Sequence, residues 1–305
     1  MHNTALIVPT LNAGGRWREW LDAFEAQTFR PRHLLVIDSS SEDDTVRLAR
    51  EAGFEVHSIP QCEFDHGSTR QLGVQMVPDA EIVAFLTQDA VLAHPEASEN
   101  LLASFDQPRI GAVYGRQLAH RDAGPIATHA RLFNYPPTGQ VRSLDDAPRL
   151  GIKTAFLSNS FAAYRRAALT DVGGFPSDTI FGEDTCVAAK MLLSGWKIGY
   201  CADAKVFHSH DYGLVEEFRR YFDVGVLHAR EAWIRRNFGQ AEGEGISYVR
   251  SELRYLWRTR RALILSAMLR TALKLVGYKL GVAERCLPLC LKRCMSENRR
   301  YWTRR

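Results

Sequence analysis

The sequence predicts an α/β protein: a mostly parallel sheet flanked by helices, followed by a helical appendage. Three observations carry this. Short apolar runs alternate with amphipathic stretches through the first two-thirds of the chain, the order expected of a sheet covered by helices. Several of those runs stop abruptly at polar, turn-prone residues, as buried parallel strands do where they emerge at the carboxyl edge of a sheet. The charge is also partitioned. Residues 1–213 carry 19 Lys/Arg against 26 Asp/Glu and residues 214–305 carry 20 against 9, within a net charge of +4. An acidic body therefore precedes a basic tail, and the two imply different working surfaces.

Taken in order, residues 5–8 form a first strand that ends at Pro9-Thr10-Leu11-Asn12. A helix follows over about 17–27, with Trp17, Trp20, Leu21 and Phe24 on one face. Residues 34–37 form a second strand ending in Asp38-Ser39-Ser40-Ser41, and a helix starts within Glu42-Asp43-Asp44-Thr45. Residues 55–59 give a third, short strand. The fourth, from Ile82 to Leu86, is the centre of the chain, because five apolar residues give way to Thr87-Gln88-Asp89. Ligands of open α/β sheets bind outside the carboxyl edge, and Asp89 arrives there on a rigid element. Residues 111–117, 155–164 and 197–206 read as further strands. Glu183-Asp184 opens a helix to about Ser194. The tail reads as helix over 214–238 and 248–280.

Composition bounds the function. With 305 residues, 46% of them hydrophobic, the chain can bury a large core, and one α/β domain plus an appendage is expected. Six cysteines show no paired metal spacing and fit a reducing compartment. The first strand begins almost at once, with no basic and then apolar leader, so a cytoplasmic location is expected. No G-x-G-x-x-G and no Walker lysine loop follows the first strand. A nucleotide would therefore be held by side chains rather than by a glycine-rich loop. The apolar run at 262–269 is far short of the about 20 residues a membrane span needs. Basic, aromatic-rich amphipathic helices instead lie in the membrane interface or pack on a partner. Arginines interleaved with apolar residues, without a recognition motif, argue against nucleic acid.

The motifs Val8-Pro9-Thr10-Leu11-Asn12, Val36-Ile37-Asp38-Ser39-Ser40-Ser41-Glu42-Asp43-Asp44-Thr45, Phe85-Leu86-Thr87-Gln88-Asp89-Ala90 and Gly173-Gly174-Phe175, leading to Phe181-Gly182-Glu183-Asp184, occur together in this order. The chain over about 4–212 resembles the family 2 glycosyltransferases, inverting, nucleotide-sugar-dependent enzymes of GT-A fold. Phe64-Asp65-His66-Gly67-Ser68-Thr69-Arg70 and the Thr-Gln-Asp variant are similar to bacterial rhamnosyltransferases that use dTDP-L-rhamnose. The resemblance implies a catalytic domain over 1–213, with a donor half to about 117 and an acceptor half from about 118, before a basic helical region over 214–305. It implies transfer of L-rhamnose to a glycolipid or cell-surface polysaccharide; the basic, aromatic-flanked tail, read from its composition alone, adds the expectation of a place at the inner face of the cell membrane. A homo-oligomer is compatible with it.

The resemblance also assigns roles. Asp38 would contact the donor base or ribose, with Pro9, Thr10, Asn12, Ser40, Thr87 and Gln88 as walls of that pocket. His66 and Arg70 would face the donor sugar or diphosphate, which an arginine suits. Asp89 and His208 would hold Mg or Mn; one carboxylate of the usual Asp-x-Asp is missing at Thr87. His208-x-His210 puts two imidazoles on one side of an extended segment. Asp184, with Glu183 beside it, would be the general base that inverting transfer requires. Gly174, Phe175 and Trp196 would line the acceptor side. Read without the resemblance, Asp38 is an Asx turn, Arg70 a helix-start arginine and Glu183-Asp184 two helix-opening acids. A nucleotide-sugar-binding scaffold without turnover, or a sugar-phosphate nucleotidyltransferase, then remains compatible with the residues.

Overall fold

The computed structural model describes residues 2–239 and 243–303. Nine strands form one mixed sheet: β1 (Thr4–Thr10), β2 (His33–Asp38), β3 (Glu55–Ser58), β4 (Ile82–Leu86), β5 (Val91–Leu92), β6 (Ile110–Leu118), β7 (Gln140–Arg142), β8 (Phe161–Arg165) and β9 (Lys197–Phe207). The order across the sheet is β3-β2-β1-β4-β8-β6-β9-β5, with β7 on β9. Strands β3, β2, β1 and β4 are parallel neighbours. Strand β8 is antiparallel to both β4 and β6, β6 is parallel to β9, and β5 and β7 are antiparallel to β9. The expected mostly parallel sheet is therefore present, with β5, β7 and β8 reversed.

The helices are α1 (Arg16–Glu25), α2 (Thr45–Glu51), α3 (His66–Met76), α4 (Ala97–Ala103), α5 (Pro125–Asn134), α6 (Ala147–Leu150), α7 (Arg166–Asp171), α8 (Glu183–Leu193), α9 (Leu214–Arg230), α10 (Ala232–Phe238), α11 (Glu244–Thr259), α12 (Ile264–Val282) and α13 (Leu289–Met295). Two apolar layers cover the sheet. Trp17, Trp20, Leu21 and Phe24 of α1 pack on one face with Val8, Val36 and Leu86. Residues of α3 and α8, including Val74, Val187 and Met191, pack on the other with Ile7, Ile37 and Phe85. Gly73 is required there: a Cβ at this position would strike Ile7 and Ile37. Pro9 sits in β1 beyond Ile7, the last residue paired with β4, so its missing N–H breaks no ladder on that side.

Two boundaries differ from expectation. The strand expected over 155–164 begins only at Phe161, because Gly151–Ala155 is a 3-10 turn and Ser158-Asn159-Ser160 lies at the sheet edge. Strand β8 re-enters from that edge with Phe161 beside Leu86 and Arg165 beside Ile82, which accounts for its reversed direction. The tail breaks into α9 and α10 at Glu231, and into α11 and α12 at Arg260. It is nonetheless joined to the body. Ile234 and Phe238 of α10 enter the main core, while Phe222, Val226 and Trp302 form a small core with Ile180. Helices α9 and α12 touch backbone to backbone, since a Cβ on Gly225, Gly277 or Gly281 would meet main-chain atoms of the opposite helix.

Candidate active site

The carboxyl edge of β4 and the far ends of β6 and β9 meet at one place. The Thr87 amide donates to the Ser160 carbonyl at 3.1 Å, and the Ala90 amide to Thr87 at 3.0 Å, which turns Asp89 outward from the sheet. The His208 amide donates to Leu118 at 2.8 Å and so carries the β6–β9 pairing past Phe207. His208 Nε2 lies 3.4 Å and His210 Nε2 3.5 Å from Asp89 Oδ2. Ligand atoms of the three residues all fall within 4.8 Å of one another.

This cluster fits a divalent cation. His208 Nδ1 lies 2.9 Å from Gln117 Oε1, and Gln117 Nε2 donates to Ser158 Oγ at 2.9 Å. That amide orientation makes Nδ1 the donor, so Nε2 donates to Asp89 when the ring is protonated and offers its lone pair to a cation when it is not; a supporting residue fixes a ligating imidazole in this way. Burial and the neighbouring His208 push the His210 pKa down to about 4, so its ring is neutral near pH 7, as a ligand must be. Burial alone would raise the Asp89 carboxyl. Hydrogen bonding to His208 and Thr87 and the charges of the two imidazoles together outweigh it and hold the group well below the usual carboxylate range.

The loops that follow β1, β2 and β4, expected to face the donor, are closed on themselves. Asp38 is buried and accepts three hydrogen bonds: from Thr10 Oγ1 (2.9 Å), Ser41 Oγ (2.6 Å) and the Ser41 amide (2.8 Å). Asn12 and Ser40 take positive φ angles of 45° and 64°. Asn12 Oδ1 accepts from the Glu42 amide at 2.8 Å, and Ser40 Oγ donates to Ile59 at 2.8 Å. Gln88 clamps Leu11, accepting from its amide at 2.7 Å and donating to its carbonyl at 3.1 Å. The Thr87 carbonyl is taken by Trp20 Nε1 at 3.0 Å. These residues hold one another and the neighbouring backbone, and their side chains are largely spent in doing so.

At the head of α8 two adjacent carboxylates diverge. Glu183 is buried, lies 3.0 Å from Arg70 Nη1 and accepts from Asn159 Nδ2 at 2.9 Å. Burial opposes its charge, but Arg70 prevails and keeps it ionised. Asp184 accepts from the Asn159 amide (3.1 Å) and the Thr185 amide (2.7 Å). Burial first, and then the charge of Glu183, push its pKa up to about 7. Such divergence within a pair of acids separates a fixed charge from a group poised to exchange a proton near neutrality.

Several sequence expectations are corrected. Arg70 does not present itself to a diphosphate; it is buried against Glu183, donates to His66 O at 2.9 Å and sits over the Phe85 ring. A buried carboxylate needs such a counter-charge. Phe175 does not line an acceptor surface: it is buried against Phe85 and Tyr164, and the Gly174–Phe175 backbone packs on Gln71. Trp196 precedes the amino end of β9, whereas His208 follows its carboxyl end. Strand β6 covers the same span, Ile110 to Leu118, in eight steps of about 3.3 Å because β9 is bulged, so the two stand roughly 30 Å apart, and Trp196 Nε1 is bonded to Asp171. His66 opens α3, half-buried and edge-on to Phe64.

Two residues join the site unforeseen. Asn159 ties Glu183 and Asp184 to the β8 edge and accepts from Tyr164 OH at 2.6 Å. The polar trio Ser158-Asn159-Ser160 interrupting an apolar stretch was its available signal. Arg220 comes from α9 in the basic tail. Its guanidinium lies 4.5 Å above the Phe181 ring and 3.3 Å from Glu297, and its charge is felt by both His66 and His210. Nothing in the local sequence separates it from its basic neighbours.

Known proteins match this architecture. The profile "Glycosyltransferase like family 2" matches residues 2–233. The O-antigen chain rhamnosyltransferase RfbN of Salmonella typhimurium is 49% identical over 97% of this chain and 95% of its own length. The O-antigen chain rhamnosyltransferase WbaN of Salmonella anatum is 47% identical over 99% and 96%. Among solved structures, the mannosyltransferase PcManGT of Pyrobaculum calidifontis, in complex with GDP-Man and Mn2+, aligns with a TM-score of 0.57 at 19% identity, covering 99% of this chain and 85% of that one. S. aureus TarS in complex with UDP-GlcNAc aligns at 0.53 and 16% identity, covering 93% and 91%. These matches leave neither a scaffold without turnover nor a nucleotidyltransferase as the reading of the chain. It belongs to glycosyltransferase family 2 and is a glycosyltransferase of GT-A fold.

Proposed function

We propose that this glycosyltransferase moves L-rhamnose from dTDP-L-rhamnose, with inversion, to a lipid-linked O-antigen saccharide. The observation that carries this reading is the near-full-length identity of 47–49% to two O-antigen rhamnosyltransferases. The nucleotide lies against the loop built from Pro9, Thr10, Asn12, Asp38 and Ser40, on a floor fixed by Thr87 and Gln88. Asp89, His208 and His210 hold the metal. Two imidazoles and one carboxylate suit a transition metal such as Mn better than Mg, which takes oxygen ligands. When bound, the ion supplies charge neutralisation to the leaving diphosphate.

The protein's own groups do the rest. Asp184 takes the proton of the acceptor hydroxyl as that oxygen attacks the anomeric carbon. Its pKa near 7 lets it be ionised and still basic at working pH. Glu183, Arg70 and Asn159 position it. Arg220, fixed over Phe181, faces the diphosphate as a cation that Arg70 cannot provide. His66 borders the same space.

Among the described residues no helix is long and apolar enough to cross a membrane. Helix α12 nevertheless exposes Leu265, Met268, Leu269, Leu275 and Val276, the first at 80%, on one helical face in a strongly basic segment. This face docks on the inner surface of the cell membrane, drawn also by anionic headgroups. Sedimentation with anionic liposomes that weakens as salt rises supports the docking, and no sedimentation at low salt refutes it. For the reaction, a panel of nucleotide sugars scored for diphosphonucleoside release with purified protein should single out dTDP-L-rhamnose. Turnover with another donor instead would contradict the assignment.

A further inference from the structure

A cleft of about 1030 Å³ opens between α5, α9, α11 and α12, and His210 and Tyr212 are part of its lining. It therefore adjoins the Asp89–His208–His210 cluster. Neither Thr10, Asn12, Asp38 nor Gln88 lines it, so it is separate from the donor-side loop. Its walls are largely apolar. Ile126, Ala130 and Phe133 recur at helical spacing on one face of α5, and Ile246 of α11 and Leu275 of α12 complete the lining with them. The last two are also 61% and 56% exposed, so the outer rim merges with the apolar stripe of α12.

The cleft is charged in one sense. Six Arg or Lys line it against three Asp or Glu. Arg270 and Lys274 both contact Glu217 at 3.3 Å, and Lys153 pairs with Glu244. Arg131 and Arg220 lie toward the catalytic end. Arg131 donates to the His208 carbonyl at 2.7 Å, and the acid beside Arg220, Glu297, is not part of the lining. An occupant thus meets apolar walls over most of its length, cations near the reacting edge, and an exposed apolar rim at the outside. At the upper end of ligand-pocket volumes, the cleft is large enough for a substantial length of chain.

From this arrangement we infer that the cleft holds the lipid chain of the acceptor. The apolar chain enters over the α12 rim, the phosphate linking chain to saccharide lies near Arg131, and the saccharide hydroxyl reaches Asp184. This rests on the reading that the acceptor is lipid-linked. It adds where the lipid is bound, and it gives the helical region a part in substrate recognition.

The test uses the full-length protein with farnesyl diphosphate and inorganic diphosphate as probes in titration calorimetry. Farnesyl diphosphate should bind at least about tenfold more tightly. Ala130→Trp, which fills the cleft, and Ile126→Ser, which only makes its wall polar, should both reduce that difference and leave dTDP-L-rhamnose affinity unchanged. Equal affinity of the two probes for the wild-type chain overturns the assignment. So does an advantage that survives both substitutions. If the substitutions instead dissociate a dimer in sedimentation and leave farnesyl diphosphate binding alone, the cleft is a contact between copies and the assignment falls. A protein that binds farnesyl diphosphate in the cleft but turns over no dTDP-L-rhamnose supports the cleft and removes the donor reading, so the two failures are distinct.

Discussion

The loop around Asp38, proposed to face the donor, and the head of α8 lie at the same sheet edge and are built on opposite principles. In the loop the polar side chains are spent: Asp38 accepts three hydrogen bonds from Thr10 and Ser41, and Gln88 is locked to the Leu11 backbone. At α8 one acid is spent and the other is kept in reserve. Glu183 is paired with Arg70 and stays ionised; burial first, and then that fixed negative charge, raise its neighbour Asp184 to about 7. Shape is supplied by groups whose chemistry is exhausted, and reactivity by a group whose ordinary ionisation the fold opposes. A carboxylate near a ligand is therefore not a reactive one by position alone.

The largest break in this contrast should come from Asp184→Asn. It keeps the volume and removes the proton acceptor, so kcat should fall by about 10²–10⁴ with donor affinity retained. A variant keeping more than about a tenth of the wild-type kcat would show that the base lies elsewhere. Next is Asp89→Ala, which should weaken donor binding at least about tenfold in Mn and leave binding in EDTA nearly unchanged. Equal losses in both conditions would assign Asp89 a structural part like that of Asp38. The smallest effect belongs to the loop. Asp38→Ala orphans the Ser41 amide and two hydroxyls, which should cost about 1–3 kcal/mol in denaturant unfolding and change kcat little once donor is saturating. A kcat loss comparable to that of Asp184→Asn, without loss of stability, would erase the distinction between the two regions.

Much of the frame was legible because its signals are local. Apolar runs alternating with amphipathic helices placed the strands of the first two-thirds, and Thr87-Gln88-Asp89 marked the working edge. The pair Glu183-Asp184 was legible as a helix opening, and its expected role survives as a proposal with a physical basis. What the sequence hid depends on partners far along the chain. Arg70 looked free because Glu183 is not its neighbour in sequence. Trp196 looked placed for an acceptor because a linear motif does not say at which end of β9 it sits. Phe175 followed a glycine pair, yet the T-shaped contacts with Phe85 and Tyr164 make it core. Arg220 read as one basic residue among many, and only the return of α9 across the edge turns it toward His66 and His210. The same return creates the cleft, which no periodicity announces.

The central claim is that Asp184, raised by burial beside an ionised Glu183, takes the acceptor's proton. The pH dependence of kcat/KM, which reports the free enzyme, tests it most directly. Because the base must be ionised, activity should be low in acid and rise with pH through an apparent pKa near 7, the value its surroundings impose. That limb should vanish from the residual activity of Asp184→Asn. A wild-type profile that is flat from about pH 6 to 8, or an unchanged limb in the variant, would contradict the account.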